Sequence, residues 1–319
     1  MYDLVIVGAG PAGMTAAIYA ARRKINFLVI SMDVGGQMSW SSEVENYPGI
    51  DRTLTGIELT NHFRKNLDKY KIKIKSEEVL RIKKGGVGFV VETNRGKYEA
   101  RAVIVATGKK PRKLGVPGEE KFLGKGLNYC ATCDAPLYKG KVVAVVGGGN
   151  SGMEAVLFLA KYAKKVYLLE AMAKLGGEKY LQDRVLADEG IEVITGATTT
   201  EIVGNSVVEG IRLTKSRGFA SQGGSASPRA GATEKVLKVD GVFVEIGLVT
   251  DVGFVDVKKN KWGEIMLFRG TRTHNENLTS VPGIFAAGDC TDIPAKQIIA
   301  AAGEGCKAAL AAMDWVMRK

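Results

Sequence analysis

Residues 3–31, "DLVIVGAGPAGMTAAIYAARRKINFLVIS", decide how the rest of the chain is read. An apolar strand from Leu4 to Val7 runs into Gly8, Gly10 and Gly13. A helix carrying Ala16, Ala17, Tyr19 and Ala20 follows, then a second strand from Ile25 to Ile30. That order of strand, glycine turn, helix and strand is the setting in which G-x-G-x-x-G reads as a dinucleotide site. The first glycine permits a tight turn, the second lets backbone approach a pyrophosphate, and the third lets the helix pack close on the strand. The phosphates then face the free N–H groups and positive dipole end of the helix.

Residues 141–170, "KVVAVVGGGNSGMEAVLFLAKYAKKVYLLE", repeat the pattern with Gly147, Gly149 and Gly152. The same spacing separates Gly8 from Ser31 and Gly147 from Glu170. Two such units in one chain predict a flavoprotein that also takes a nicotinamide. Taken singly, either copy can be a packing device of a βαβ unit. Two more strand ends lie between and beyond them. "RAVIVATG" closes on Ala106-Thr107-Gly108, and "PGIFAAGDCTD" on Gly288-Asp289. An acid at the end of a parallel strand points into the crevice where ligands bind. The fold class is therefore α/β: two Rossmann-like, three-layer ββα nucleotide-binding domains, the second inserted into the first. Linkers are expected near Lys113–Pro117 and Asp240–Gly247.

A chain of 319 residues suits two domains. The net charge is +11, but Lys and Arg are spread and form no five-residue block, so an ordinary basic surface is expected rather than a nucleic-acid site. No run of about 18 apolar residues suggests a membrane span. The start "YDLVIVGAG" reads as a buried strand rather than a leader, which makes a cytoplasmic location the expectation.

"YCATCDAPLY", 129–138, sets two cysteines two residues apart with an acid after the second. Such a pair serves zinc or thiol–disulfide exchange. Zinc asks for a second pair or histidines at suitable spacing. Cys290 and Cys306 stand singly, and the histidines are only His62 and His274. Redox chemistry is therefore the reading, and Cys290 and Cys306 are expected to be buried small apolar residues.

Taken in order, "GAGPAG", "GGQM", "EVENYPG", "ATG", "CATCD", "GGGNSG" and "GIFAAGDCTDIPAKQIIAAAGEG" resemble low-molecular-weight thioredoxin reductases over nearly the whole chain. They are also similar to the flavoprotein component of alkyl hydroperoxide reductase. The resemblance implies a homodimer whose first domain, 1–114 with 242–319, holds FAD non-covalently. It implies an inserted domain, 115–241, that takes the nicotinamide, carries the cysteines and rotates between two positions. Gly8, Gly10, Pro11, Ala12 and Gly13 would then hold the FAD pyrophosphate. Gly36, Gln37 and Asn46 would line the adenosine and isoalloxazine side, with Thr107 and Gly108 nearby. Gly288 and Asp289 would meet the ribityl and phosphate portion. Lys296, Gln297 and Ile298 would bring a helix N-terminus to the pyrimidine edge. The first unit's second strand ends in Ser31, so Asp33 in the following loop is the candidate acid. Gly147, Gly149, Asn150, Ser151 and Gly152 would form the second turn. By the same resemblance Cys133 is the flavin-proximal sulfur and Cys130 the sulfur that attacks a thioredoxin- or glutaredoxin-like protein. Asp134 is the general acid in that scheme; as a helix-terminal residue it could instead serve as a cap.

The chain departs from the family at three places. NADPH-specific relatives carry a basic run after the second strand of the inserted domain. Here those positions read Glu170-Ala171-Met172 and Gly176. A carboxylate at Glu170 suits a free ribose 2′-OH and repels a 2′-phosphate. NADH is therefore expected first, a donor such as ferredoxin second, and NADPH third. Residues 215–235 form a Gly/Ser/Ala-rich insertion expected to be a surface loop. Trp40 replaces a small hydroxyl residue, where it could cover flavin or face an interface. A ferredoxin–nicotinamide reductase on the same scaffold is the alternative enzyme, and "CATCD" argues against it. A non-catalytic redox-sensing module would show flavin that no reductant bleaches.

Overall fold

The structure is a computed structural model that describes residues 1–41, 43–215, 233–268 and 276–318. It divides into two units. The first is Met1–Lys110 with Val249–Lys319, and the second is Pro111–Leu248.

In the first unit, β1 (Tyr2–Val7) leads through the glycine turn to α1 (Pro11–Arg22) and then β2 (Phe27–Ile30). The parallel sheet runs Ile74–Lys75, β2, β1, Lys97–Val105 and Ile284–Ala286. Val5 pairs with Leu28 on one side and Val103 on the other. In the same sheet the first half of Lys97–Val105 pairs antiparallel with Phe89–Thr93, which pairs with Val79–Lys84.

β1 is apolar at every inner position because both its faces are covered. Leu4 and Ile6 meet Met14, Ala16 and Ala17 of α1 together with Ala308 and Ala312 of the helix Ile298–Met317. Val5 and Val7 meet Ile82, Phe89, Val91, Val255 and Ile265 on the opposite face. The C-terminal helix lies close on α1 because its inner stripe is alanine and glycine. A Cβ on Gly305 would stand 2.0 Å from the Ala12 carbonyl oxygen.

The second unit repeats the layers. Its parallel sheet runs Ile191–Thr195, Lys165–Glu170, Val142–Val146, Gly241–Val244 and Leu127–Asn128. Val143, Val145, Val166 and Leu168 face the helices Asn150–Leu159 and Lys179–Ala187. Ala144, Val146, Val242 and Val244 face the antiparallel strands Ala197–Gly204, Val208–Lys215 and Thr233–Lys238. The insertion expected at 215–235 lies almost wholly outside the described residues, as does His274.

One boundary needs correction. Gly241–Val244, expected within a linker and as the edge of the inserted domain, is a central strand of the second unit with all four residues buried. "VLKVDGVFVEIG" reads as one strand but supplies two, in different sheets. Asp240 makes the break: its N–H donates to the Val142 carbonyl at 2.7 Å, and its carboxylate accepts from the Val142 N–H at 2.8 Å. Gly241 follows because a Cβ there would stand 2.1 Å from the Tyr138 ring. The chain leaves this unit after Leu248.

Phe243 has no exposed surface and stacks edge-on with Tyr138 at 5.2 Å between ring centroids. Phe243→Ala is expected to cost about 3–5 kcal/mol, read as a lowered urea midpoint for the second unit.

Candidate active site

The two glycine turns have the same construction. Gly8 adopts φ +106° and a Cβ on it would stand 2.3 Å from the Ala106 carbonyl oxygen; Gly147 adopts φ +118° and would stand 2.2 Å from that of Glu245. A Cβ on Gly13 would fall 1.9 Å from the Gly8 oxygen, and one on Gly152 would fall 1.8 Å from the Gly147 oxygen. Protein backbone therefore requires the first and third glycines. The middle ones differ. Gly10 has only the Gly35 oxygen at 3.9 Å, and Gly149 has nothing within 4 Å. No protein contact explains a glycine there, whereas a phosphate resting on the backbone does. Each middle glycine also opens its helix without a side-chain cap, and Pro11 follows Gly10. The first-turn N–H groups are thus left for an anion.

Around the first turn the structure gathers most of the expected residues. The Ser31 hydroxyl accepts from the Ala9 N–H at 3.1 Å, so Ser31 braces the turn. The Gly35 N–H donates to the Ala9 carbonyl at 2.8 Å, and a Cβ on Gly36 would lie 3.4 Å from the Gly10 Cα. A Cβ on Gly108 would lie 3.3 Å from the Gln37 amide nitrogen, and one on Gly288 would lie 3.1 Å from the Ala12 Cβ. Asn46 donates to the Gln297 side chain at 3.2 Å, ahead of Ile298, the first residue of the C-terminal helix. Asp33 is exposed on the loop. Trp40 is half-buried at the end of the short helix Gly36–Trp40.

Two observations fit this pocket to a large polar cofactor. The Thr107 hydroxyl oxygen is buried with no hydrogen-bond partner. Burial also holds the Asp289 carboxyl above the usual carboxylate range, with Lys296 and Lys109 opposing the shift. Lys296 donates to the Asp289 and Thr291 carbonyls and pairs with Glu264 at 3.1 Å. Glu264 also pairs with Lys109 at 3.0 Å. Burial works against the Glu264 carboxylate, but hydrogen bonds from Asn260, Lys109 and Lys296 hold it down at about 2. Sequence reading missed Glu264 and Lys109, since neither belongs to a spaced motif and the tertiary fold alone brings them together.

In the second unit Glu170 takes the place of Ser31. Its carboxylate accepts from the Gly148 and Met172 N–H groups, each at 2.7 Å. A carboxylate offers about four acceptor positions, so lone pairs remain for a ligand hydroxyl. Asn150 accepts from the Glu178 N–H at 2.8 Å, and Ser151 is exposed.

Cys130 caps the start of the short helix Ala131–Asp134, Cys133 lies within it, and the two form a disulfide with Cα atoms 5.4 Å apart. The Cys130 sulfur accepts from the Cys133 N–H at 3.2 Å. Tyr129 donates to Glu119, which also accepts from the Leu114 and Gly115 N–H groups. Asp134 makes no capping hydrogen bond in the following turn. It is half-buried, and burial pushes its carboxyl pKa up. In the amide orientation that satisfies both its ends, Asn128 donates to Asp134 at 3.2 Å and accepts from Tyr138 at 2.8 Å. The carboxyl is thus held in place beside the disulfide.

Cys290 is fully buried, and burial pushes its thiol up to about 11. Cys306, also expected to be buried, is partly exposed beside the Tyr19 hydroxyl. Its position on the outer edge of an alanine-rich helix was not visible in composition. Among the described residues no cluster of His, Cys, Asp or Glu could hold a metal ion.

Comparison with known proteins agrees with this geometry. Residues 2–307 match the family of pyridine nucleotide-disulphide oxidoreductases, and the chain belongs to that family. It is 37% identical to an alkyl hydroperoxide reductase component of Escherichia coli, over 99% of this chain and 58% of that protein. It is 38% identical to the Staphylococcus aureus (strain MRSA252) protein of the same name, over 99% and 59%. The chain thus spans under two thirds of these curated relatives. Among solved structures it resembles thioredoxin reductase of T. acidophilum, with 38% identity, 98% of each chain covered and a TM-score of 0.84. It resembles that of Lactococcus lactis at 30% identity, with all of both chains covered and a TM-score of 0.86. It also resembles a ferredoxin-flavin thioredoxin reductase of Clostridium acetobutylicum at 32% identity, covering 100% and 99%, with a TM-score of 0.52.

Gly10→Val is expected to keep the unfolding free energy within about 1 kcal/mol of the parent, because only the Gly35 oxygen, at 3.9 Å, lies near that position. If FAD binds at this turn, the variant should lower bound FAD per purified chain at least about tenfold, since the new side chain would stand where a pyrophosphate would approach. Gly13→Val should fail to accumulate folded. Flavin absorbance per chain and thermal melts measure both.

Proposed function

We propose that the chain is a thioredoxin-reductase-like enzyme that, as a homodimer, carries electrons from NADH to a protein disulfide. The observation that carries this reading is the Cys130–Cys133 disulfide beside Asp134, whose carboxyl pKa burial raises, in a chain with two open glycine turns. FAD, when bound at the first turn, supplies the two-electron chemistry between the nicotinamide and the disulfide.

Reduction of the Cys130–Cys133 disulfide takes two electrons and two protons and leaves a dithiol. The Cys133 N–H points at the Cys130 sulfur and is placed to donate to it. The Cys130 thiolate attacks the disulfide of a thioredoxin- or glutaredoxin-like protein, forming a mixed disulfide and expelling the partner's other sulfur. Asp134 gives that departing thiolate its proton. Cys133 then attacks the mixed disulfide, restores the Cys130–Cys133 bond and releases the reduced partner. Asn128 holds the Asp134 carboxyl in place, and Tyr129, fixed by Glu119, anchors the residue before Cys130.

NADH is the preferred donor because Glu170 stands at the end of the second strand, where a 2′-phosphate would meet a carboxylate. A non-nicotinamide donor is the second reading. It is favoured by the resemblance to a ferredoxin-flavin thioredoxin reductase and by the net charge of +11, which suits an acidic carrier.

In anaerobic titrations, NADH should bleach the flavin at lower concentration than NADPH or reduced ferredoxin. Bleaching by NADPH at equal or lower concentration overturns the role given to Glu170. Cys133→Ser should retain FAD yet lose protein-disulfide reduction, and continued turnover sinks the scheme. Asp134→Asn should slow the dithiol step by roughly 10²–10⁴. In the parent that step should weaken as pH rises and Asp134 ionises, with the midpoint above the usual carboxylate range. The variant's pH profile should lack that limb.

A further inference from the structure

Superposing the two turns by their contacts gives each residue of one a counterpart in the other. Gly8 closes on the Ala106 carbonyl and Gly147 on the Glu245 carbonyl. The Cβ position of Gly13 lies 3.6 Å from the Ala106 Cβ, and that of Gly152 lies 3.7 Å from the Glu245 Cβ. Two residues on, Gly108 and Gly247 both take positive φ, at +64° and +95°. "ATG" at 106–108 and "EIG" at 245–247 are therefore the same structural element. Where the flavin unit has a methyl, the second unit has a carboxyl. No motif records this, because the match is in three dimensions only.

The second unit's strand order reverses between Val142–Val146 and Gly241–Val244. A dinucleotide lies across such a reversal, with its pyrophosphate at the glycine turn and one nucleoside on either side. Glu170 ends the strand on one side and Glu245 follows the strand on the other. We propose that Glu245 is a binding residue for the nicotinamide-side half of the dinucleotide, accommodating the anionic ligand as a neutral carboxylic acid and weakening its binding when ionised. This rests on the reading that the second unit binds a nicotinamide dinucleotide.

The surroundings favour the neutral acid. The Glu245 carboxyl has no hydrogen-bond partner among the described residues; burial first, and the Glu154 carboxylate second, push it up to about 8. Glu154 lies on the helix Asn150–Leu159, at whose start the phosphates would sit. Several charged groups on neighbouring elements are engaged elsewhere. Glu170 accepts from Gly148 and Met172, Asp240 accepts from Val142, and Arg212 pairs with Glu201. Asp134 is held beside Asn128. The Arg112 N–H donates to the Gly247 carbonyl at 2.9 Å, but among the described residues no cation forms an ion pair with Glu245, so ligand and proton bind together.

ADP-ribose is the probe, since it spans both sides of the turn, carries the diphosphate and is redox-inert. Calorimetric titration of the FAD-loaded chain should give a Kd that is flat below about pH 8 and rises towards tenfold per pH unit above it. Glu245→Gln should bind with a Kd independent of pH across the same range while keeping its full FAD content. Glu154→Gln should move the onset to lower pH, because removing the like charge lets Glu245 ionise sooner. A pH-independent Kd in the parent overturns the proposal, as does a pH dependence that persists in Glu245→Gln. Absence of ADP-ribose binding at every pH overturns both it and the nicotinamide donor. Protein-disulfide reduction driven by dithionite would then still stand and mark the failure as one of dinucleotide binding alone.

Discussion

The approach of a helix to the carbonyl of a strand, with no Cβ between them, is the constraint on which both units depend. At Gly13 and Gly152 any side chain would fall within 2 Å of a backbone oxygen. Because the helix can come that close, its first N–H groups stand directly over the end of the central strand. The parallel sheet then delivers Ser31, Thr107 and Asp289 to the same rim in one unit, and Glu170 and Glu245 in the other. The layers behind the rim follow from the same arrangement. A central strand covered on both faces must be apolar throughout, as 4–7 and 142–146 are.

The two units share a backbone solution and differ in the polar groups placed on it. The first braces its turn with a hydroxyl and lines its rim with an orphaned threonine hydroxyl, a buried aspartate and a Lys–Glu–Lys cluster. The second braces its turn with a carboxylate and places another carboxyl opposite. A fold that binds dinucleotides in general thereby gains selectivity from a few side chains at strand ends. The redox pair belongs to the second unit, on a turn whose entry is fixed by Glu119 and Tyr129 and whose exit is fixed by Asn128 and Asp134.

Much of this was legible in the chain itself. Repeated glycine spacing, apolar strands and strand-end acids are local patterns set by backbone geometry, and they led to the two units and the redox reading of Cys130 and Cys133; the residues gathered around the first turn were named through the family resemblance. The reading failed where a local pattern had two structural solutions. "VLKVDGVFVEIG" is apolar enough for one strand, and only the Asp240–Val142 hydrogen bonds make it two. Cys306 shares the composition of a buried helix face, and its partial exposure depends on where the helix turns against α1.

The sequence by itself determined the class of fold, the identity of the two glycine turns and the presence of a dithiol–disulfide pair, because each rests on residues close together in the chain. Tertiary structure alone decided which titratable groups meet. Glu264 lies between Lys109 and Lys296, Glu119 receives Tyr129 and two backbone amides, and Glu245 stands where Ala106 stands in the other unit. Charge and desolvation act through distance in space. Residues far apart in sequence therefore set one another's protonation only once the sheets have brought their strand ends together.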